Sequence, residues 1–205
     1  MTQDTSTNHS AAHETTTGLD HRKLVMWAFL GSDCMFFAAL IATYLLYRGK
    51  SLVGPYPHDV FNIPFTSVSA FVLLMSSLTM VLALSAIQRG NQRGLKIWLL
   101  ATALLGCVFL GGQYFEFTVF VHEGLNLNTN LFGTTFFVLT GFHGAHVTVG
   151  VIILLSFYVV ALRGGVPQEK SLNIELAGLY WHFVDVVWIV IFTVIYLVEA
   201  PNIVN

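Results

Sequence analysis

Five long apolar segments occupy most of this sequence and constrain its fold more than any other feature. They run over about Leu24–Tyr47, Thr66–Gln88, Ile97–Val121, Leu131–Leu162 and Ala177–Val198. About 20 apolar residues allow a helix to cross a bilayer, so each segment is long enough to do so. Because the hydrocarbon core offers backbone groups no hydrogen-bond partner, such segments cross as helices. The sequence therefore predicts an all-α polytopic membrane protein with five transmembrane helices.

The composition leaves little of the chain outside these helices. Hydrophobic residues make up 55% of the sequence and charged residues only 10%, whereas an average soluble domain has roughly 25% charged residues. We expect a disordered polar tail over residues 1–23, a helical bundle over 24–199 and a short tail over 200–205. The formal net charge of −2, without a basic stripe, indicates no nucleic-acid partner.

Basic residues predict the orientation of the bundle, because loops on the cytoplasmic side are enriched in Lys and Arg. If the N-terminus is cytoplasmic, the basic residues on that side are Arg22, Lys23, Arg89, Arg93, Lys96, Arg163 and Lys170. The opposite side then carries only Arg48 and Lys50. We therefore expect a cytoplasmic N-terminus and a periplasmic C-terminus.

Polar and ionisable side chains within the five segments are the candidate functional residues. They are Asp33, Gln113, Glu116, His143, His146, His182 and Asp185. Such groups are costly in a membrane and face protein or water, where they find partners. Since none of the segments carries a Lys or Arg in its middle, each carboxyl group must be protonated, hydrogen-bonded or paired with histidine.

Two of the acidic residues allow more than one interpretation. Asp33 lies about nine residues, or about 13 Å, into the first helix, close to the middle of the membrane. It is either a protonated acid bonded to a neighbouring helix or a group that handles protons. Glu116 lies near the end of the third helix, where a helix-packing or headgroup contact is favoured over proton transfer.

The histidines also allow two interpretations. His143 and His146 lie in the small-residue segment 141–146, where close helix approach and hydrogen bonds between helices are typical. The alternative is a cytochrome b-like carrier in which one of them binds haem together with His182. The depths of these residues in the membrane argue against a shared haem. His143 and His146 lie about 16 and 21 Å from one membrane face, whereas His182 lies about 7 Å from the other.

The last helix has an aromatic face, because Trp181, Asp185 and Trp188 recur at helical spacing. We expect both tryptophans to pack against the bundle or another chain. Small residues should allow close helix packing, among them Gly106, Gly111, Gly112 and Gly150. Cys34 and Cys107 are expected to be free core thiols, and their spacing indicates no metal site.

Four segments carry motifs that occur together in one known family. They are Ser32-Asp33-Cys34-Met35-Phe36-Phe37, Gln113-Tyr114-Phe115-Glu116-Phe117, Phe136 to Val147 and Tyr180 to Trp188. In sequence and in order they resemble subunit III of the haem–copper terminal oxidases. In this resemblance Asp33 matches the family's buried acid, often a glutamate in other members. The other polar motif positions match interhelical contacts.

The resemblance implies an accessory subunit of a proton-pumping oxidase in a bacterial inner membrane. Such a subunit packs directly on catalytic subunit I, with subunit II and smaller subunits nearby, and supports proton uptake by subunit I. Haem and copper would then belong to the partner subunits, and this chain would hold phospholipid at most. Many members have seven helices, so with five helices here a lipid cleft would be partial or completed by another chain.

Three functional hypotheses remain open on the sequence. The first is subunit III of a cytochrome c oxidase, with a quinol oxidase as the alternative within the same family. The second, from a different class, is the haem-binding electron carrier described above. The third is a transporter with a midplane site at Asp33, although the chain has neither an inverted repeat nor a broken helix.

Overall fold

The computed structural model describes residues 20–47, 50 and 63–197 of the chain. Its helices are α1 (His21–Tyr47), α2 (Ile63–Gln88), α3 (Gln92–His122), α4 (Leu131–Gly164) and α5 (Ser171–Phe192). A 3-10 turn (Gln168–Lys170) precedes α5, and a π-helical turn (Thr193–Leu197) follows it. Within the described residues, five helices are long and apolar enough to cross a membrane. The predicted all-α class and five spans are therefore confirmed, whereas nearly all of both predicted tails lies outside the described residues.

Four helices begin earlier than their apolar segments. Helix α1 starts at His21 rather than Leu24, so residues 21–23 are helical and not part of the expected disordered tail, and α2 starts at Ile63 rather than Thr66. Helix α3 starts at Gln92 rather than Ile97, because the Asn91 side chain caps it by accepting a hydrogen bond of 3.0 Å from the Gly94 backbone N–H. Helix α5 starts at Ser171 rather than Ala177. Ile174 is fully buried, so the first turn of the helix packs against the bundle. The π-helical turn that follows α5 gave no signal in the sequence.

The helices form a bundle in which α5 is the most buried. Helix α3 packs between α2 and α4, and α5 packs against α2, α4 and α1. Helix α1 is peripheral, since the residues it buries are Leu30, Phe37 and Tyr44, one every seven positions along a narrow seam. The seam holds α1 against α4 and α5 and leaves most of its surface exposed.

Trp181 of α5 is the central packing residue, and two glycines make room for its ring. Its side chain is 1% exposed. A Cβ atom on Gly106 of α3 would lie 2.7 Å from the ring, and one on Gly150 of α4 would lie 2.8 Å from it. The ring is held by a hydrogen bond of 2.9 Å from Trp181 Nε1 to the Ser76 hydroxyl of α2. Trp181 therefore joins four helices.

Three packing predictions are wrong because the residues face outward. A Cβ atom on Gly111 would meet nothing within 4 Å. Cys34 and Cys107 are free thiols, as predicted, but both are exposed on the bundle surface rather than in the core.

The connection between α4 and α5 is held at the end of the bundle where α1 begins. The Gln92 side chain donates a hydrogen bond of 2.7 Å to the Val166 carbonyl and accepts one of 3.2 Å from the Val166 N–H. Gln168 Nε2 donates to the Gln88 carbonyl at 2.6 Å.

At the same end, Lys23 Nζ of α1 lies 2.6 Å from a carboxylate oxygen of Glu175. All seven basic residues assigned to the cytoplasmic side therefore lie at or near one end of the bundle, called the basic end below.

Substituting Gln92→Ala should destabilise this end. The variant loses both hydrogen bonds to Val166, which corresponds to about 1–2 kcal/mol in the free energy of unfolding. Equilibrium unfolding in mixed micelles measures the difference, with Gln88→Ala as the control because only the backbone carbonyl of Gln88 is used. Equal stabilities for the two variants would contradict this role of Gln92.

Candidate functional site

The candidate residues form separate polar contacts between helices, spread along the length of the bundle. Asp33 of α1 faces His146 of α4, with Asp33 Oδ2 3.3 Å from His146 Nε2. The two side chains are 11% and 20% exposed. His146 Nδ1 lies 2.7 Å from the Phe142 carbonyl, so it must carry the proton that it donates there. The 3.3 Å contact between Nε2 and Asp33 can therefore hold one shared proton, which belongs either to the carboxyl group or to the imidazole.

A second site joins α2 and α5 through a serine. Ser77 donates a short hydrogen bond to Asp185 Oδ2, and the same hydroxyl oxygen lies 2.8 Å from His182 Nδ1. Since the hydroxyl has one proton and gives it to Asp185, His182 Nδ1 is the donor to Ser77. The serine lies between acid and histidine, whereas a catalytic triad needs the histidine between serine and acid. This order supports helix packing and does not activate a nucleophile.

The third group lies near the end opposite the basic end. Glu116 of α3 is 7% exposed and accepts a short hydrogen bond from the Thr66 hydroxyl of α2. One turn away, Gln113 Nε2 donates to the Thr140 carbonyl of α4 at 2.8 Å. Both contacts tie α3 to a neighbouring helix. The contact to Thr66 is the packing arrangement favoured for Glu116, and the role of Glu116 remains a prediction.

His143 of α4 lies in the interior beside aromatic rings. It is fully buried, and Nε2 lies 3.2 Å from the Val184 carbonyl of α5. Its ring stacks on Trp188 with centroids 4.9 Å apart, and the Phe109 ring approaches edge-on at 5.9 Å. The structure thus turns the predicted Trp181, Asp185 and Trp188 face toward the bundle, where all three side chains are buried.

The residues that the sequence did not indicate are mainly hydroxyls. Ser77, Thr66 and Ser76 each complete a polar contact to another helix. A single Ser or Thr in an apolar helix has no spacing signal, because it can equally satisfy its own helix backbone. The pairing of Asp33 with His146 was also not predicted, since 113 positions separate the two residues along the chain.

A cavity of about 660 Å³ opens between α1, α4 and α5. Most of its lining is apolar, including Met26, Phe29 and Val149, and His146 borders it. Its volume and lining are typical of a site that binds an apolar ligand or an acyl chain. Among the described residues, no group of three or more His, Cys, Asp or Glu side chains could hold a metal ion.

The fold and its polar contacts define a class, a multi-pass helical membrane protein whose buried polar groups join helices. The sequence model of the family described as "Cytochrome c oxidase subunit III" matches residues 3–200. The chain therefore belongs to the subunit III family of the haem–copper oxidases, and the resemblance found in its motifs is confirmed. Membership makes it part of an oxidase complex, with other oxidase subunits as partners.

Relatives in this family have names from both of its branches. The chain is 39% identical over 174 residues to quinol oxidase subunit 3 of Bacillus spizizenii, covering 85% of each chain. It is 38% identical over 174 residues to cytochrome c oxidase subunit 3 of Bacillus sp. strain PS3, covering 85% of this chain and 84% of the relative. A probable quinol oxidase subunit 3 of Staphylococcus saprophyticus is 35% identical over 199 residues, covering 97% of each chain.

Proposed function

We propose that this chain is a non-redox accessory subunit that packs directly on subunit I and stabilises it, while haem and copper stay on the partner subunits. The observation that carries the proposal is the packing around the candidate haem ligands. His143 is fully buried against the rings of Trp188 and Phe109, and His146 Nε2 already lies 3.3 Å from Asp33. Only His182 keeps an accessible ring nitrogen without a partner among the described residues, and one histidine cannot supply both axial ligands of the proposed haem.

The basic end is proposed to face the cytoplasm of a bacterium, with the chain in the inner membrane. The positive-inside rule supports this orientation, and the named relatives come from bacteria. Protons for oxygen reduction would then enter subunit I on the side of the basic end. The Asp33–His146 pair, an ionisable contact within the membrane, is the proposed link between this chain and proton uptake.

The electron donor is proposed to be cytochrome c, with quinol as the alternative. Two of the three named relatives are called quinol oxidase subunits and one a cytochrome c oxidase subunit, and the two named Bacillus proteins differ by one percentage point in identity, 39% against 38%. Because the donor docks elsewhere in the complex, a copper-bearing subunit II in the purified oxidase would favour cytochrome c. A subunit II without copper would favour quinol.

Depletion of this chain from the assembled oxidase tests the accessory role. The depleted enzyme should keep its haem spectrum and its initial oxygen consumption, and should lose activity faster during sustained turnover because subunit I is less stable without this chain. An oxygen electrode and a reduced-minus-oxidised spectrum give both readouts on one preparation. Immediate loss of all oxygen reduction, with haem lost in proportion to this chain, would contradict the proposal.

The substitution Asp33→Asn tests the proposed link to proton uptake. The amide keeps the shape of the side chain and removes its charge, so we expect normal assembly and a modest change in turnover. The change should stay well below the roughly 100-fold loss that follows removal of a general acid or base. Turnover of the purified complex at several pH values measures it, and Ser32→Ala serves as a control on an exposed neighbour. Abolished oxygen reduction in Asp33→Asn would argue for a catalytic group.

A further inference from the structure

An uncovered face of α5 lies between α1 and α2. The two helices both pack against α5 and make no substantial contact with each other within the described residues. The outward face of α5 is therefore exposed between them, with Val186 57% exposed and Ile189 and Val190 each 43% exposed. This surface, the α1–α2 groove, is distinct from the cavity between α1, α4 and α5.

His182 places a polar atom at the edge of this groove. It lies one turn before Val186, so the two residues share the outward face of α5. Its Nδ1 is used by the Ser77 contact, whereas Nε2 has no hydrogen-bond partner among the described residues and is not enclosed. Because Nδ1 carries the proton donated to Ser77, Nε2 of the neutral ring is an acceptor.

A lipid chain cannot satisfy this acceptor. Acyl chains have no hydrogen-bond donor, and an unpaired polar group in hydrocarbon is costly. Histidines on transmembrane helices instead bond across to another helix. An exposed acceptor on a groove of this kind therefore fits a helix that carries a donor.

We propose that the α1–α2 groove receives a transmembrane helix of another oxidase subunit, and that a hydroxyl or amide group of this helix donates a hydrogen bond to His182 Nε2. The inference rests on the proposed function, because it assigns the surface through which this chain packs on a partner. Ser77, which is itself bonded to Asp185, contacts Nδ1 of the imidazole and fixes its tautomer. His182 is thus a positioning contact for the partner helix.

Photocrosslinking in the assembled oxidase tests the groove. A benzophenone amino acid at Val186 should crosslink to another oxidase subunit, identified by mass spectrometry of the product. The matched control is the same residue at Ile152 of α4, which is 58% exposed on a different surface and should yield far less of that product. Lipid adducts alone at Val186, or a crosslink to a second copy of this chain, would overturn the proposal.

Substitution of His182 tests the hydrogen bond. We expect His182→Leu to reduce retention of the chain in the detergent-solubilised complex by about threefold to tenfold, and His182→Gln to restore most of it. Ser156→Ala of α4 is the control, since the Ser156 hydroxyl bonds only to the Ile152 carbonyl of its own helix. Equal retention of His182→Leu and wild type would overturn the hydrogen bond.

The outcomes separate this inference from the function on which it rests. If the unsubstituted chain purifies without haem-bearing subunits, the accessory role and the groove assignment both fail. If it purifies with them and Val186 still gives no protein crosslink, only the groove assignment fails.

Discussion

Replacing Gly106 or Gly150 with valine is expected to disrupt the bundle at its centre. A Cβ atom at Gly106 would lie 2.7 Å from the Trp181 ring and 2.9 Å from a methyl group of Val151. At Gly150 two ring atoms of Trp181 would each be 2.8 Å away. The ring cannot turn aside without losing the hydrogen bond to Ser76. Overpacking of this kind costs about 1–3 kcal/mol in the free energy of unfolding, and valine adds two further methyl groups at the contact.

Two other glycines of the same helices provide matched controls. Nothing lies within 4 Å of a Cβ atom placed at Gly111 of α3 or at Gly141 of α4. Gly111→Val and Gly141→Val should therefore keep near wild-type unfolding curves in mixed micelles, while the two central variants unfold at lower denaturant. Similar destabilisation at all four positions would show that helix propensity, rather than contact with Trp181, governs these glycines.

Substituting His146→Leu should have an effect of similar or greater size. The leucine leaves Asp33, only 11% exposed, without a partner within the apolar region. Leaving a buried polar group without its partner costs about 1–3 kcal/mol, and the carboxyl group places the expected loss near the upper end, at about 3 kcal/mol. The measurement is the free energy of unfolding of the variant, together with its recovery in the assembled complex.

A double substitution separates the free-energy cost of an unpaired Asp33 carboxyl group from the cost of lost packing. Replacing both partners of a polar contact with apolar residues can be nearly neutral. Asp33→Leu combined with His146→Leu should therefore recover most of the stability that His146→Leu alone loses. If the double variant is as unstable as the sum of the two single variants, the two residues do not interact.

The helices could be predicted from the sequence because segment length and hydropathy determine membrane spans directly. The inward face of each helix was harder to predict. In water the apolar face of a helix marks the core, but in a membrane both lipid-facing and core-facing residues are apolar. This is why Gly111, Cys34 and Cys107 were assigned to the core and in fact face outward.

The polar residues themselves could be found, since an ionisable side chain within a membrane helix stands out in the sequence. Their partners could not, because each contact joins positions that are remote along the chain. Asp185 and His182 were identified, for example, while Ser77, more than 100 positions earlier, supplies the hydroxyl that joins them. Family motifs added the class of complex, which neither composition nor spacing indicated.

This chain is proposed to belong to an oxidase and to carry no redox centre of its own. The most direct measurement is purification of the tagged chain in mild detergent, followed by a reduced-minus-oxidised spectrum before and after the chain is stripped from its partners. We predict that subunits I and II co-purify and that the haem signal stays with them when this chain is removed. A haem signal that stays with this chain alone would contradict the accessory role and make His143, His146 and His182 candidate ligands.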